Sequence, residues 1–278
     1  MIEFRHVRAS YDSTENILED IDFTIGDGDF VAFVGTNGAG KSTTMRLMNG
    51  LLKPNEGEVL IDGISTTSLK TSQLARKVGF LFQNPDRQIC RNTVREELLF
   101  GFEAIGEASP EARKRVDDII ERFGFDGDAD PFLLNRGTRQ LLALASIIVL
   151  EPAIIVLDEP TTGLDHRECE LVMSIVEGLH EKGTTVVMVC HDMEVVADHA
   201  ERVIVMAHGK IQGDGATFDV LRDEELCSRA SLIPPQIVEI ALRLEHDDPS
   251  PDKQAITSAN TVEDMAGAIT TYLMKAGA

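Results

Sequence analysis

Apolar positions along the chain fall into short runs separated by longer amphipathic stretches. Ile2–Phe4, Val31–Val34, Val59–Ile61, Val78–Phe82, Ile154–Leu157 and Thr185–Val189 are brief and largely β-branched or aromatic, and they read as strands. Helical stretches lie between several of them, the pattern of a mainly parallel α/β sheet with crossover helices. Thr93-Val-Arg-Glu96 has the form of a capping box. Ser109-Pro110 reads as an N-cap followed by proline at the first helical position. Together they predict consecutive helices over 94–105 and 110–124, a helical insertion between sheet strands. After Gly213 the character changes. Two amphipathic helices are expected near 235–245 and 262–275, joined by a polar linker, His246–Asn260, with prolines at 249 and 251. The chain therefore divides into a domain over 1–212, with a helical subdomain at about 84–150, and a C-terminal helical extension over 213–278.

Composition narrows the class. At 278 residues and 43% hydrophobic content, the chain can hold one large α/β domain plus an appendage, or two small domains. The longest apolar run, Leu141–Leu150, is too short to span a bilayer. The opening MIEFRHVRAS lacks the apolar core of a signal peptide. Work at a membrane would thus go through a partner. The formal net charge of −21 argues against a nucleic-acid partner. Cys90, Cys169, Cys190 and Cys227 are far apart and read as single thiols.

The chemistry concentrates at a few points. GTNGAGKS, Gly35 to Ser42, fits the phosphate-loop pattern, follows the strand VAFV and opens a helix. Its glycines let backbone N–H groups curl around phosphate, helped by the helix N-terminus. Gly35, Asn37, Gly38, Ala39, Gly40, Lys41, Ser42 and Thr43 are the candidate ATP-binding residues. Lys41 would reach the β- and γ-phosphates, and Ser42 would bind Mg²⁺. AIIVLDEP ends an apolar strand in two acids, costly unless they meet cations or water. Asp158 would hold Mg²⁺ and Glu159 would polarise the attacking water. His191 ends the buried run VVMVC, where it is either a satisfied polar residue or a contact to γ-phosphate. Gln83 ends VGFLF as a strand cap or a site residue. Tyr11 is either core or a platform for adenine.

In order and spacing, Tyr11, GTNGAGKST, Gln83, a glycine-bearing segment, IIVLDEP, TTGLD and His191 resemble an ATP-binding cassette (ABC) ATPase over residues 1 to about 212. The resemblance implies the P-loop NTPase fold of that family. Its parts would be a mainly parallel core sheet, an antiparallel β-subdomain, a helical insertion and a small C-terminal extension. It also implies a head-to-tail dimer in which the phosphate loop of one subunit and the signature segment of another enclose ATP and Mg²⁺. Gln83 would join the metal site, and Asp165 of TTGLD would lie at the dimer interface. Within the family, FQNPDRQI (Phe82 to Ile89), GLLKPNEGEVLIDG and LIPPQIVEIALRL are similar to the ATPases of energy-coupling factor importers and their cobalt and nickel relatives. Such importers take up vitamins or transition-metal ions using two ATPases, a transmembrane coupling subunit and a membrane substrate-binding subunit. By that resemblance, residues 84–102 would dock the coupling subunit and the chain would sit on the cytoplasmic face of the membrane.

One segment departs from the family. Where the signature reads LSGGQ, this chain has Leu134, Asn135, Arg136, Gly137 and Thr138. Arg136 would push the backbone away from γ-phosphate, yet its guanidinium can itself bind phosphate. Losing one preorganised donor costs about 10²–10³ in rate. Two unequal ATP sites are therefore expected, favouring a heterodimer with a second ABC ATPase. The alternative is that Asn135 and Thr138 replace the lost donors. Rival readings are a soluble ABC ATPase serving assembly, a nucleic-acid ABC protein and a non-hydrolysing regulatory subunit.

Overall fold

Ten strands and twelve helices are described in a computed structural model covering residues 1–11, 16–247 and 254–276. A six-stranded sheet is built from β3 (Phe30–Gly35), β6 (Val78–Leu81), β7 (Ile154–Asp158), β8 (Thr185–Val189), β9 (Arg202–Ala207) and β10 (Lys210–Ala216), in the order β10-β9-β3-β8-β7-β6. Its strands pair in parallel except for the β9–β10 hairpin. β3, β7 and β8 are buried along their whole length, as a parallel sheet covered on both faces requires. A second, antiparallel sheet runs β2-β1-β4-β5, from β1 (Ile2–Ala9), β2 (Leu18–Ile25), β4 (Glu56–Ile61) and β5 (Ile64–Ser65). Here the inner face alternates with a wet one. Val7, Ala9, Leu18 and Ile21 point in, while Asp20 and Asp22 point out.

The core is layered accordingly. Between the sheets, Phe4, Phe23, Phe33, Val156 and Val189 pack with α1 (Lys41–Met48), beside which lies the short α2 (Thr71–Leu74). The other face of the large sheet is covered by α5 (Arg136–Ile148), α6 (His166–His180), α7 (Met193–His199), α8 (Thr217–Leu221) and α9 (Glu224–Ala230). The expected helical insertion is α3 (Val94–Ile105) and α4 (Pro110–Phe123), closed on α5 through Val94, Leu98, Val116 and Leu142. Ser109 caps α4 as read, its hydroxyl accepting from Ala112 N at 3.2 Å. At α3 only half of the capping box is made: Thr93 accepts from Glu96 N.

The C-terminal reading shifts. The expected break between 212 and 213 falls inside β10, which continues to Ala216 paired with Arg202. Val220, Leu221, Leu226 and Ala230 of α8 and α9 also belong to the main core. Packing separates only after Ala230. There α10 (Gln236–Asp247), α11 (Gln254–Thr257) and α12 (Val262–Ala276) share a small cluster of Ala241, Ile256, Ala259 and Met265. The described part of the expected linker is thus packed, since Ile256 is an anchor in a stretch judged polar as a whole. Pro249 and Pro251 lie outside the described residues. No helix among the described residues is long and apolar enough to cross a membrane. All four cysteines are free, and burial pushes the Cys190 thiol up to about 11.

Candidate nucleotide site

The parallel sheet brings three strand ends to one edge, the usual place for a ligand in such folds. β3 delivers the phosphate loop, β7 delivers Asp158 and Glu159, and β8 leads to His191. The loop turns through glycines in the left-handed region. At Gly40, which immediately precedes α1 at φ 102°, an added Cβ would also lie 2.4 Å from Leu18 Cδ2. At Gly35, φ 133°, it would lie 1.9 Å from the Met206 carbonyl oxygen. Both positions exclude a side chain by conformation and by packing.

Lys41 is buried and donates to the carbonyls of Gly35 at 2.7 Å and Thr36 at 2.9 Å. Burial pulls its pKa below the ordinary lysine value, against the opposing pull of Glu159 and Asp158. Ser42 Oγ donates to Asp158 Oδ1 at 3.1 Å, across 116 residues of sequence. Asp158 is itself buried, and desolvation raises its pKa despite the Ser42 hydrogen bond and the charges of Arg46 and Lys41.

Glu159 is the hub. Its Oε2 accepts from Gln83 Nε2 at 2.6 Å and from the Thr162 hydroxyl at 2.9 Å. Its Oε1 lies 3.0 Å from His191 Nε2. The backbone at Glu159 has φ +53°, rare for a residue with a side chain, and its N–H donates to Val189 O. Two sequence-distant groups, Gln83 and His191, and one local one, Thr162, therefore surround one carboxylate beside the phosphate loop. Thr162 was missed in the sequence. It sits in TTGLD, and only its position, three residues after Glu159, could have suggested a local side-chain contact.

Tyr11 is exposed, not core. Its hydroxyl accepts from Arg46 Nη1 at 2.7 Å and lies 3.3 Å from Thr43 Oγ1, so the ring stands beside α1. Arg46 also lies over the ring, 5.7 Å from its centroid. Asn37 is exposed and lines a 540 Å³ cavity with Gly35, His191, Glu194 and Pro235. Its far wall is the chain entering α10, where Gln236 N donates to Glu194 Oε1 at 2.8 Å.

The signature segment meets these groups only through Arg136 and Thr162 among the described contacts. Asn135 caps α5, its Oδ1 accepting from Thr138 N at 2.8 Å. Gly137 is buried, and a Cβ there would fall 1.8 Å from Glu168 Oε1. A side chain there would displace the Glu168 carboxylate at the start of α6. Glu168 completes a capping box with Asp165, each side chain accepting the other's backbone N–H at 2.9 and 3.0 Å. Arg136 is exposed and donates from Nη2 to the Thr162 carbonyl at 3.0 Å.

FQNPDRQI is folded by its own polar groups. Gln88 donates to Ala143 O at 2.7 Å and Ser146 Oγ at 3.1 Å, and it accepts from Phe82 N. Buried Glu97 accepts from Cys90 N and Arg91 N. Beside this segment a 310 Å³ groove is lined by Leu51, Phe80, Phe82, Phe100 and Leu150.

The ABC transporter family pattern matches residues 18–162, from β2 through the Thr162 that binds Glu159. This chain belongs to the ABC transporter ATP-binding family. The energy-coupling factor transporter ATP-binding protein EcfA of Methanothermobacter thermautotrophicus is 39% identical over 248 residues, 88% of this chain and 80% of that protein. The structure of cbiO1 from Clostridium perfringens, part of the ABC transporter complex cbiONQ, aligns with a TM-score of 0.71 at 29% identity, covering 89% of this chain and 95% of that one. An ATP-binding cassette dimer in a post-hydrolysis state, bound to ADP and Pi, aligns at 0.68 and 32% identity over 78% of this chain and 99% of its own. Two further curated relatives are longer, and the chain spans 43% and 37% of their lengths. The fold is that of the P-loop ABC ATPases, and the domain is an ATP-binding, ATP-hydrolysing cassette.

Proposed function

We propose that this ABC ATPase energises an energy-coupling-factor-type importer of vitamins or transition-metal ions from the cytoplasmic face of the membrane. The observation that carries its catalytic part is the convergence of Gln83, Thr162 and His191 on Glu159, beside Lys41 and the Ser42–Asp158 pair. Lys41 and the backbone of residues 35–43 bind the ATP phosphates, and Tyr11 offers its exposed ring to the base. Glu159 takes the proton of the attacking water, held in place by its three partners. His191, on the opposite carboxylate oxygen from Gln83, faces γ-phosphate.

The donor set suits Mg²⁺: a hydroxyl, a buried carboxylate and an amide oxygen are hard ligands. Asp158 also has its charged form disfavoured by burial until a cation meets it. Ser42, Asp158 and Gln83 would hold the ion, which when bound supplies charge neutralisation to the phosphates. In this arrangement Gln83 turns its amide oxygen to the metal while its Nε2 keeps the bond to Glu159.

The importer reading rests on the EcfA and cbiO1 likenesses and on the apolar groove. Leu51 and Phe100 are solvent-exposed at its rim, and the segment 84–102 beside it is rigidified by Gln88 and Glu97. A helix of a transmembrane coupling subunit would bury that surface. Asn135–Thr138 face the ATP of a second ABC ATPase, and Arg136 there makes the two sites unequal, so a heterodimer is favoured. Asp165 lies at that interface. The extension supplies further contact: Val262, Leu273 and Met274 of α12 are exposed.

The deciding measurement is Mg·ATP hydrolysis by this chain alone, then with a candidate partner ATPase and coupling subunit, each beside Glu159→Gln. A large rise with the partner, lost in the variant, supports the reading; equal activity alone removes the unequal-site heterodimer. Leu273→Asp with Met274→Asp should weaken association of the two ATPases, and an unchanged dimer would remove α12 from the interface. Deletion of 213–278 is unsuited to that question, because it strips β10, α8 and α9 from the main core.

A further inference from the structure

We propose that Arg136 is a positioning residue for Glu159 of its own subunit, acting through Thr162. The inference rests on the reading that Glu159 receives the proton of the attacking water. It adds a role at the near site for a residue so far considered only for the ATP of the facing subunit.

The chain of contacts is continuous. Arg136 Nη2 donates to the Thr162 carbonyl at 3.0 Å. Its guanidinium lies against Gly163, where an added Cβ would be 2.6 Å from Arg136 Cζ. Gly163 has φ +76°, so the turn that brings Thr162 back toward Glu159 passes directly under the guanidinium plane. The Thr162 hydroxyl then donates to Glu159 Oε2 at 2.9 Å, and Thr162 N donates to the Glu159 carbonyl at 3.3 Å. The origin of the arm is rigid: Arg136 opens α5, Asn135 caps that helix, and Gly137 is wedged on Glu168.

Other anchors of the loop lie on either side of Thr162: Gln140 Nε2 donates to the Pro160 carbonyl at 3.1 Å, and Leu164 N to the Thr161 carbonyl at 3.2 Å. Thr162 and Gly163 are both exposed, and the carboxylate they help to aim hangs from a left-handed backbone. Such a conformation persists only when its surroundings over-determine it. A planar guanidinium holding a carbonyl and covering a glycine is a fixed clamp of that kind. A glycine at 136 has no side chain to reach Thr162. The substitution that departs from LSGGQ therefore acts in two directions: it changes what faces the partner's ATP, and it braces the carboxylate at this chain's own.

The test uses the full chain and compares Arg136→Ala, Thr162→Val and the double variant, with Arg136→Lys and Thr162→Ser as conservative controls. With a partner whose own catalytic glutamate is replaced by glutamine, so that only this chain's site turns over, each non-conservative single variant should lower kcat about tenfold, as expected for a misaimed group, with KM for ATP within about twofold. The double variant should be no slower than the slower single, because both break one chain. Thr162→Ser keeps the hydroxyl and the rate, and Arg136→Lys recovers most of it. The second readout needs neither nucleotide nor partner. His191 Nε2 lies 3.0 Å from the other oxygen of Glu159, so its ring ¹⁵N resonances should move in both Arg136→Ala and Thr162→Val. Unmoved His191 resonances in Arg136→Ala, or single losses that multiply in the double variant, would overturn the proposal. If instead Glu159→Gln hydrolyses at the normal rate, the assignment of Glu159 falls. The His191 resonances then still decide whether Arg136 aims that carboxylate.

Discussion

The phosphate-loop edge and the signature segment are built in opposite ways. At the first, Lys41 and Asp158 are buried, and both have their charged forms disfavoured by desolvation. That strain is sustained by a closed sheet and suits groups whose natural partners are phosphate and a cation. At the second, Asn135 and Arg136 are exposed, and their bonds run back into their own chain, to Thr138 and Thr162. One site is preorganised by burial. The other is a cap and a clamp on the surface. On the function proposed above, burial would mark what the subunit does with its own nucleotide, and exposure what it lends to a neighbour.

The contrast breaks first at Glu159. Glu159→Gln should cut hydrolysis by at least about 10²-fold while ATP binding survives, since a general base contributes about 10²–10⁴; equilibrium binding and single-turnover assays separate the two. A rate within threefold of wild type would mean that the hub is structural only.

Next in size is reversion of the signature. Asn135→Ser with Arg136→Gly should raise hydrolysis of the facing ATP by up to about 10²-fold, because a missing oxyanion-type donor is worth that much. It should slow this chain's own site. Inactivating each site's glutamate in turn resolves the two signs, and no change at the facing site would favour Asn135 and Thr138 as adequate donors.

A structural effect follows. Gly137→Ala places a methyl 1.8 Å from the present position of Glu168 Oε1, so that side chain must swing away and give up its bond to Asp165 N, at a cost of about 0.5–1.5 kcal/mol. Thermal denaturation should show the loss, and adding Glu168→Ala should cost little more. Full activity and unchanged Tm would mean that α6 yields freely.

The smallest effect has the opposite sign. Burial holds the Asp158 pKa above the ordinary carboxylate value, so folding favours its protonated form. That contribution is complete below the unfolded-state pKa and is lost as pH rises through the raised folded-state value. Asp158→Asn should therefore match wild type in acid and gain about 2–4 °C in Tm at neutral pH, if the relief is worth about 1 kcal/mol. A gap that narrows toward neutrality would contradict the burial argument.

Much of this was legible in the sequence because it is local. A phosphate loop is one contiguous segment, and capping at Ser109 or the apolar run of β7 needs no distant partner. The cap signals at Thr93 and Ser109 likewise placed α3 and α4 nearly to the residue. β2 and β9 were not read as strands, although their apolar residues seal the two sheets. β2 carries wet acids at alternate positions, and β9 is fixed by its pairing between β3 and β10. The 213 boundary misled for a similar reason: a change of pattern along the chain is not a change of core, and α8 and α9 return to the main one.

By itself, then, the sequence determined which groups would carry phosphate chemistry and roughly where the strands that deliver them lie, because those signals are written in neighbouring residues. Only the tertiary structure decided what each group is bonded to. Gln83, Glu159, Thr162 and His191 meet because three parallel strands end at one edge. Gly137 lies against a carboxylate 31 residues away, and Arg136 turns toward Thr162 of its own chain. Such pairings span loops whose closure is set by the packing of the whole sheet, and no local pattern encodes them.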